Sequence, residues 1–495
     1  MSRAQQLLVV SLAFTSLAPA AGCSLPRAAL GSGPGSDGGG LDVGALDSGA
    51  DAGLDAGADA DVDAWRDDTG VDAGSDSGSD AGSDAGSDSG RDAGSDAGTD
   101  APSCTAGETR CPSDTMLETC AAGTWVPTPC PLGCLGTPAH CGTFTPSNVN
   151  GALTGASAPL VVSAPASVSS DTCTGLPGAT GRLVMQDDAA GSRVCLYEVG
   201  SLTVSSTITI DGLLPIVFVA HGPVSITGVI DASSYTNPMA GRSVHWGPGS
   251  GIGGNTGGDG AAGGSNTDGG GGGGGFGGNG GNGANCGSSS SGGGGGSSTA
   301  SGLVPLVAGA DGGDGSGVGS QNAGWGGGGI QITSFVSIDI PGTVAAAGSA
   351  GDGGGQFGGG GGGGSGGAIL LEAPTVTLGA GAASFGLPLT VAGGGGGGGG
   401  CGSGTDGFAG TDGAYAVAGR AAGAVTRCGT HDGGDGGGAA TMNGANAMNG
   451  GGTNAPGGGG SVGRIVFRTQ AGSIPSGTTN PTSGAAIDSM ALTIR

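Results

Sequence analysis

From residue 201 to 232 the chain alternates apolar and polar side chains. Leu202-Thr-Val204 and Thr207-Ile208-Thr-Ile210 place Leu202, Val204, Ile208 and Ile210 on one side and Thr or Ser on the other, the two-residue period of a half-buried strand. Ile216-Val-Phe-Val-Ala220 follows, then Val224-Ser-Ile226 and Val229-Ile230-Asp231-Ala232. The set returns as Ile330-Gln-Ile332, Val336-Ser-Ile338-Asp-Ile340 and Val344-Ala-Ala-Ala, and again as Ile369-Leu-Leu371, Val376-Thr-Leu378 and Leu389-Thr-Val391-Ala392. Arg464-Ile-Val-Phe467 opens a further set. Three short strands per repeat predict an all-β body from residue 150 to 495, a right-handed parallel β-helix in which each triplet is one coil stacked on the next. An antiparallel β-sandwich with polyglycine inserts is the alternative. No stretch carries a helical period.

Glycine changes this picture most: 126 of the 495 residues are Gly. The densest runs, roughly residues 248–300, 350–367, 393–413 and 433–460, fall between strand sets and predict long loops leaving one corner of the solenoid. Two states stay open for them. Runs such as Gly269 to Gly275 can form extended helices of three residues per turn that pack through Cα–H···O contacts. Disorder competes, because glycine loses more entropy on ordering than any other residue.

Residues 1–102 read as export and spacing. Arg3 precedes an apolar run from Leu7 to Ala18, and small residues lead to Cys23, so residues 1–22 are expected to be a secretory signal. The run is too short to span a bilayer. Ala20-Ala-Gly-Cys23 resembles the lipobox of bacterial lipoproteins, which implies lipidation at Cys23 and anchoring to the outer membrane, since Ser24 stands where a retention signal would carry Asp. Cleavage after Ala20, giving a secreted protein, is the alternative. Residues 23–102 follow as a linker rich in Asp, Gly, Ala and Ser. From Asp37 to Asp100 it holds 18 aspartates against Arg66 and Arg91, and from Asp72 onward Asp recurs every fourth residue. Such a tract offers almost no apolar surface to offset chain entropy and is expected to stay unfolded. With a net charge of −26, the chain is not expected to bind nucleic acid, and contact with a membrane is expected through the lipid alone.

Residues 103–142 hold Cys104, Cys111, Cys120, Cys130, Cys134 and Cys141. An even set this dense behind an export signal predicts three disulfides in a small module, with Trp125 packed on them. Cys130-Pro-Leu-Gly-Cys134 beside His140 leaves zinc as the rival. Cys173 and Cys195 are expected to pair with each other, and Cys286, Cys401 and Cys428 remain, so three thiols cannot all pair. The Cys-Thr-Ala-Gly-Glu-Thr-Arg-Cys start of this module, behind its Asp-rich linker, resembles a cysteine-rich module of myxobacterial surface lipoproteins. The body is similar to the glycine-rich β-solenoids of bacterial surface proteins, and its inserts to those of glycine-rich sandwich adhesins. These resemblances imply a surface protein and carry no chemistry.

Catalytic motifs are sparse. The chain has no lysine, which removes the Walker phosphate loop and every Lys nucleophile. Matches to Gly-x-Gly-x-x-Gly are a by-product of composition. His140, His221, His245 and His431 are scattered, so no metal and no cofactor are expected. Asp187-Asp188 before His221-Gly222 is similar to the catalytic set of β-helix enzymes that cleave uronic-acid polysaccharides, where paired carboxylates would serve as acid and base, but the Arg-x-Lys substrate clamp is missing. The sequence therefore predicts a non-enzymatic, cell-surface structural or adhesive lipoprotein, with surface or matrix polysaccharide as partner and Trp246 and Trp325 as stacking platforms. A polysaccharide-degrading hydrolase or lyase is the alternative.

Overall fold

The computed structural model describes residues 104–495 except 150, 152, 187, 189–190, 237–245, 251–255, 260–267, 287–290, 299–301, 318–321, 401–405, 416–419, 426–431, 439, 449–453, 478 and 482–485. The signal at 1–22, Cys23, the linker at 23–102, Asp187, His245, Cys401, Cys428 and His431 lie outside the described residues.

The cysteine module opens the described chain. Strands β1 (Thr109–Ser113), β2 (Met116–Ala121) and β3 (Thr124–Pro129) form an antiparallel sheet, and β4 (Cys134–Leu135) pairs with β5 (His140–Cys141). Disulfides join Cys104 to Cys120, Cys111 to Cys134 and Cys130 to Cys141. The Cys130 and Cys134 pair that suggested zinc is thus divided between two bridges. Trp125 stands opposite Cys120 in the β2–β3 ladder, with the Arg110 guanidinium 4.1 Å above its ring.

Three parallel sheets make up the body. The first contains β6 (Pro159–Val162), β10 (Ser201–Val204), β13 (Val224–Ile226), β16 (Ile338–Ile340) and β19 (Val376–Leu378). The second contains β7 (Ala166–Ser169), β11 (Thr207–Asp211), β14 (Val229–Asp231), β17 (Thr343–Ala345), β20 (Leu389–Thr390) and β22 (Thr479–Asn480). The third contains β8 (Arg182–Met185), β9 (Arg193–Val199), β12 (Ile216–Ala220), β15 (Gly329–Ser334), β18 (Ala368–Glu372), β21 (Arg464–Thr469) and β23 (Ile487–Ala491). From β9 to β21 the chain visits the sheets in rotation, and all pairings between rounds are parallel. Only β8, which turns back on β9, is antiparallel.

Register puts like on like. Cys195, Ile216, Ile330, Ile369, Ile465 and Ile487 form one row of the third sheet, and Tyr197, Phe218, Ile332, Leu371 and Phe467 the next. These rows share one buried cluster with Leu202, Val224 and Ile338 of the first sheet and Ile208, Ile230, Val344 and Leu389 of the second. Most aliphatic side chains between 330 and 391, from Ile330 and Ile332 to Leu389 and Val391, therefore lie inside, and their strands pair in parallel rather than as a meander. Each fully buried Leu, Ile or Phe contributes roughly 1.5–3 kcal/mol relative to exposure. One boundary moves from its expected place: β16 begins at Ile338 rather than Val336, because Ser334 Oγ accepts the N–H groups of Val336 and Ser337 and turns the chain there. The Cys173–Cys195 disulfide ties the loop after β7 to β9 of the third sheet.

The long glycine segments all leave between a second-sheet strand and the next third-sheet strand, after β14, β17 and β20. They are not separate loops. Residues Gly358–Gly367 form the centre of a bundle of extended segments joined by backbone hydrogen bonds. Gly359, Gly362 and Ser365 donate to Ser316, Gly313 and Ala310; Gly360, Gly363 and Gly366 to Ala455, Gly458 and Ser461; Gly361, Gly364 and Gly367 to Asp352, Ser349 and Ala346. Its carbonyls accept in the same rhythm from Gly271 and Gly274, from Gly324 and Gly327, and from Gly394, Gly397 and Gly400. A partner that changes every residue and returns every third is the geometry of a three-residue-per-turn helix with six neighbours. The links are N–H···O=C bonds of ordinary length, stronger than the Cα–H···O contacts the sequence suggested, and they offset the entropy of ordering glycine.

Close packing requires glycine at the centre. A Cβ built on Gly362 would stand 2.0 Å from Gly272 O, and one on Gly363 2.1 Å from Gly394 O.

Candidate functional site

Where a segment reaches the rim of the bundle, a short polar side chain replaces the missing neighbour. Asn279, Asn282 and Asn285 recur every third residue, and their Oδ1 atoms accept the N–H groups of Ser298 (2.7 Å), Gly295 (2.8 Å) and Gly292 (2.6 Å). Asn443 and Asn446 accept those of Asn279 and Asn282, both at 2.8 Å. Asp311 and Asp314 do the same for Gly326 and Ala323. Burial pushes the Asp311 carboxyl above its ordinary pKa, and the neighbouring Asp314 adds to the rise, against the Gly326 N–H. The two asparagine rows lie side by side, Gly444 and Ala447 donating to the carbonyls of Asn279 and Asn282 (both 2.9 Å), and with neighbouring glycines they line a shallow polar groove of about 460 Å³.

Two further clusters sit on the outer face of the third sheet. Residues 143–156 cross that face from the last round to the first. Thr143 and Arg495 exchange two backbone bonds, Phe144 bridges Ile494, and Phe144 packs on Phe335 at 5.1 Å. Ser147 then bonds to Glu372 through N–H (3.0 Å) and hydroxyl (2.6 Å), and Asn148 Nδ2 donates to Gln331 (2.9 Å). Val149 and Leu153 pack over Leu196, Val217, Leu370 and Val466. At the far end Glu198, its side chain 4% exposed, receives the N–H groups of Thr154, Gly155 and Ala156, the Thr154 hydroxyl, His221 Nε2 at 2.9 Å and Arg182 Nη2 at 2.9 Å. Burial pushes the Glu198 carboxyl up, but the bonds from His221, Thr154 and Gly155 more than offset it and hold it far below the usual carboxylate range. Every oxygen lone pair faces a donor, so this carboxylate acts as a clamp for the crossing segment.

The sequence-derived pair is not assembled around a common point. Asp188 accepts the N–H of Ser192 in its own turn, and bonding from the Ser192 side chain first, then from its N–H, lowers the Asp188 pKa. His221 bonds to Glu198 and stacks on Phe335 at 5.3 Å. No hydrogen bond links Asp188 to His221. His140 faces the Pro138 carbonyl at 3.0 Å. No group of three or more His, Cys, Asp or Glu among the described residues could hold a metal. Trp246 is 49% exposed and meets Trp325 edge to face, centroids 5.5 Å apart. In the centre of the bundle the glycine N–H and C=O groups are bonded to neighbouring segments. Buried Cys286 packs with Ala284, Ala447 and Ala455, and burial, then Asp268, pushes its thiol up. No helix among the described residues is long and apolar enough to cross a membrane.

The asparagine rows were missed from sequence, although their three-residue spacing within glycine was a usable signal. Glu198 and Glu372 carried a weaker one, as acids closing apolar strands. Comparison with known proteins finds no family model, no curated protein and no solved structure that matches this chain.

Proposed function

We propose that the protein is a structural or adhesive lipoprotein of the cell surface, anchored through Cys23 to the outer membrane and holding a glycine-rich β body at the end of an acidic tether. The observation that supports this most is the central segment Gly358–Gly367, whose amides bind three neighbours while its carbonyls bind three more. Such an array is stiff and leaves short polar side chains at its rim, asparagines and aspartates among them, a surface suited to contact rather than turnover. The three parallel sheets are read as the faces of a right-handed parallel β-helix. Their visit in rotation, their shared buried cluster and the right-handed preference of parallel crossovers support that winding.

The test uses the full lipidated chain. Saturable attachment to cells and to a glycan panel, with no new reducing ends, is expected. Release of reducing ends that disappears in Asp188→Ala would overturn the reading in favour of hydrolysis. Cys23→Ser is expected to move the protein from the membrane to the soluble fraction, and an unchanged distribution would remove the anchor.

A further inference from the structure

The geometry points to the groove between Asn279, Asn282, Asn443 and Asn446 as a binding site for a neutral, extended polysaccharide chain; this deepens the display reading above and rests on it. Four observations carry the assignment.

The first is orientation. Each of the four Oδ1 atoms accepts a backbone N–H, from Ser298, Gly295, Asn279 and Asn282 in turn, and since only the oxygen of a carboxamide can accept, the amide end of each side chain is fixed. Among the described residues the Nδ2 groups of these four exposed asparagines bond to no protein atom, so the groove carries donors held in place. The second is spacing. Within a row the asparagines are three residues apart on a helix rising about 3.1 Å per residue, which sets them roughly 9 Å apart, close to the disaccharide repeat of an extended β-linked glycan. The two rows lie side by side, with Asn443 and Asn446 bonded to the Asn279 and Asn282 backbone amides, so a chain lying along them meets donors from both rows.

Rigidity is the third. A Cβ on Gly280, Gly295 or Gly444, all in the groove, would stand 2.0, 2.0 or 1.9 Å from a neighbouring carbonyl oxygen. The floor is locked by packing, so little ordering entropy opposes binding. Charge is the fourth. No ionisable side chain lines the groove, and the chain as a whole carries −26, which disfavours phosphate-rich polymers. Fixed neutral donors call for neutral oxygen acceptors, the hydroxyl, ring and glycosidic oxygens of a sugar chain. A peptide strand is a poorer fit, because it presents its own donors alternately with its acceptors.

Cellohexaose and chitohexaose are the probes, titrated into the full chain by calorimetry. The test variant is Asn443→Asp with Asn446→Asp, which keeps the oxygens that accept from Asn279 and Asn282 and replaces the amide donors. Binding of at least one probe by the wild type is expected, weakened about tenfold or more in the variant as one or two hydrogen bonds are lost, with an unchanged melting midpoint. If the variant melts early, Asn279→Gln, which alters only the reach of one amide, is measured in its place and is expected to weaken binding in the same direction. Absence of binding to both neutral probes, equal binding by wild type and variant, or a dimer in sedimentation that only the variant abolishes, each overturns the assignment. Attachment to cells that persists in the variant without glycan binding removes the groove and leaves the display reading standing; absence of attachment in the wild type removes that reading itself.

Discussion

Replacing one glycine by alanine at two places in the bundle should give effects of opposite sign. At Gly362 the new methyl would meet Gly272 O at 2.0 Å and its carbonyl carbon at 2.4 Å. These are backbone atoms, so no side chain can swing aside, and the neighbouring segment must withdraw by more than an ångström. That movement strains the bonds beside it, from Gly362 to Gly313 (2.9 Å), from Gly274 to Gly363 (2.9 Å) and from Gly271 to Gly360 (2.9 Å). Overpacking costs about 1–3 kcal/mol, and two or three weakened backbone bonds add about 1 kcal/mol each, so a loss of about 3–6 kcal/mol is expected. At Gly294 a Cβ meets nothing within 4 Å. There alanine chiefly narrows the unfolded ensemble and should be neutral or stabilising by up to about 1 kcal/mol. The assay is the urea midpoint of the full chain, followed by tryptophan fluorescence with the Trp246–Trp325 pair as a nearby probe. If the glycine segments were unordered loops, each alanine would act alike on the folded and unfolded chain and neither would move the midpoint. Gly362→Ala as stable as wild type would therefore refute the packed bundle.

Other outcomes follow from single side chains. Glu198→Gln places an amide among donors only and is expected to cost about 2–4 kcal/mol by thermal or urea unfolding. Because the folded carboxyl is held below its unfolded value of about 4.3, its contribution should be complete above that pH and decline as the pH falls below it toward the folded value; a wild-type advantage that fades between neutrality and pH 5 would contradict this. Asp311→Asn keeps the acceptor for Gly326 and removes a charge that burial disfavours, so a gain on the order of 0.5 kcal/mol is expected at neutral pH. That gain should vanish below the unfolded value of about 3.9, where the wild type is also neutral, and a variant less stable than wild type at pH 7 would sink it. Cys111→Ser with Cys134→Ser removes a bridge spanning 23 residues and should lower module stability by about 3 kcal/mol, read as faster protease cleavage between residues 104 and 142 with the far-ultraviolet spectrum of the body retained.

The strands were legible because burial imposes a two-residue rhythm wherever one face is wet. Leu202, Val204, Ile208 and Ile210 announce themselves in this way. In β12 the rhythm disappears, since Ile216, Val217, Phe218, Val219 and Ala220 are all buried; Val217 and Val219 lie on the outer face, covered by a segment whose binding depends on Glu198 and Glu372 far along the chain. The glycine bundle was illegible for a different reason. Its bonds join Gly271 to Gly360 and Gly363 to Gly458 with no side chain to mark the partner, so only rim residues such as Asn279, Asn282, Asp311 and Asp314 record the period. The six module cysteines announced three bridges, but choosing Cys104–Cys120, Cys111–Cys134 and Cys130–Cys141 among the possible pairings needs the fold itself.

The segment from Thr143 to Ala156 makes the molecule respond to mechanical load in a particular order. A pull on the chain ahead of the cysteine module reaches the body at Phe144 and Ile494, on the last round rather than the first. Tension would then peel the crossing segment one grip at a time, from Arg495 to Glu372 with Gln331, and at last to Glu198. Only when that final carboxylate lets go is β6 exposed to force. Until then load enters the stacked rounds only through those grips and the β6 end of the chain stays slack, as a buckled belt shields what it encloses.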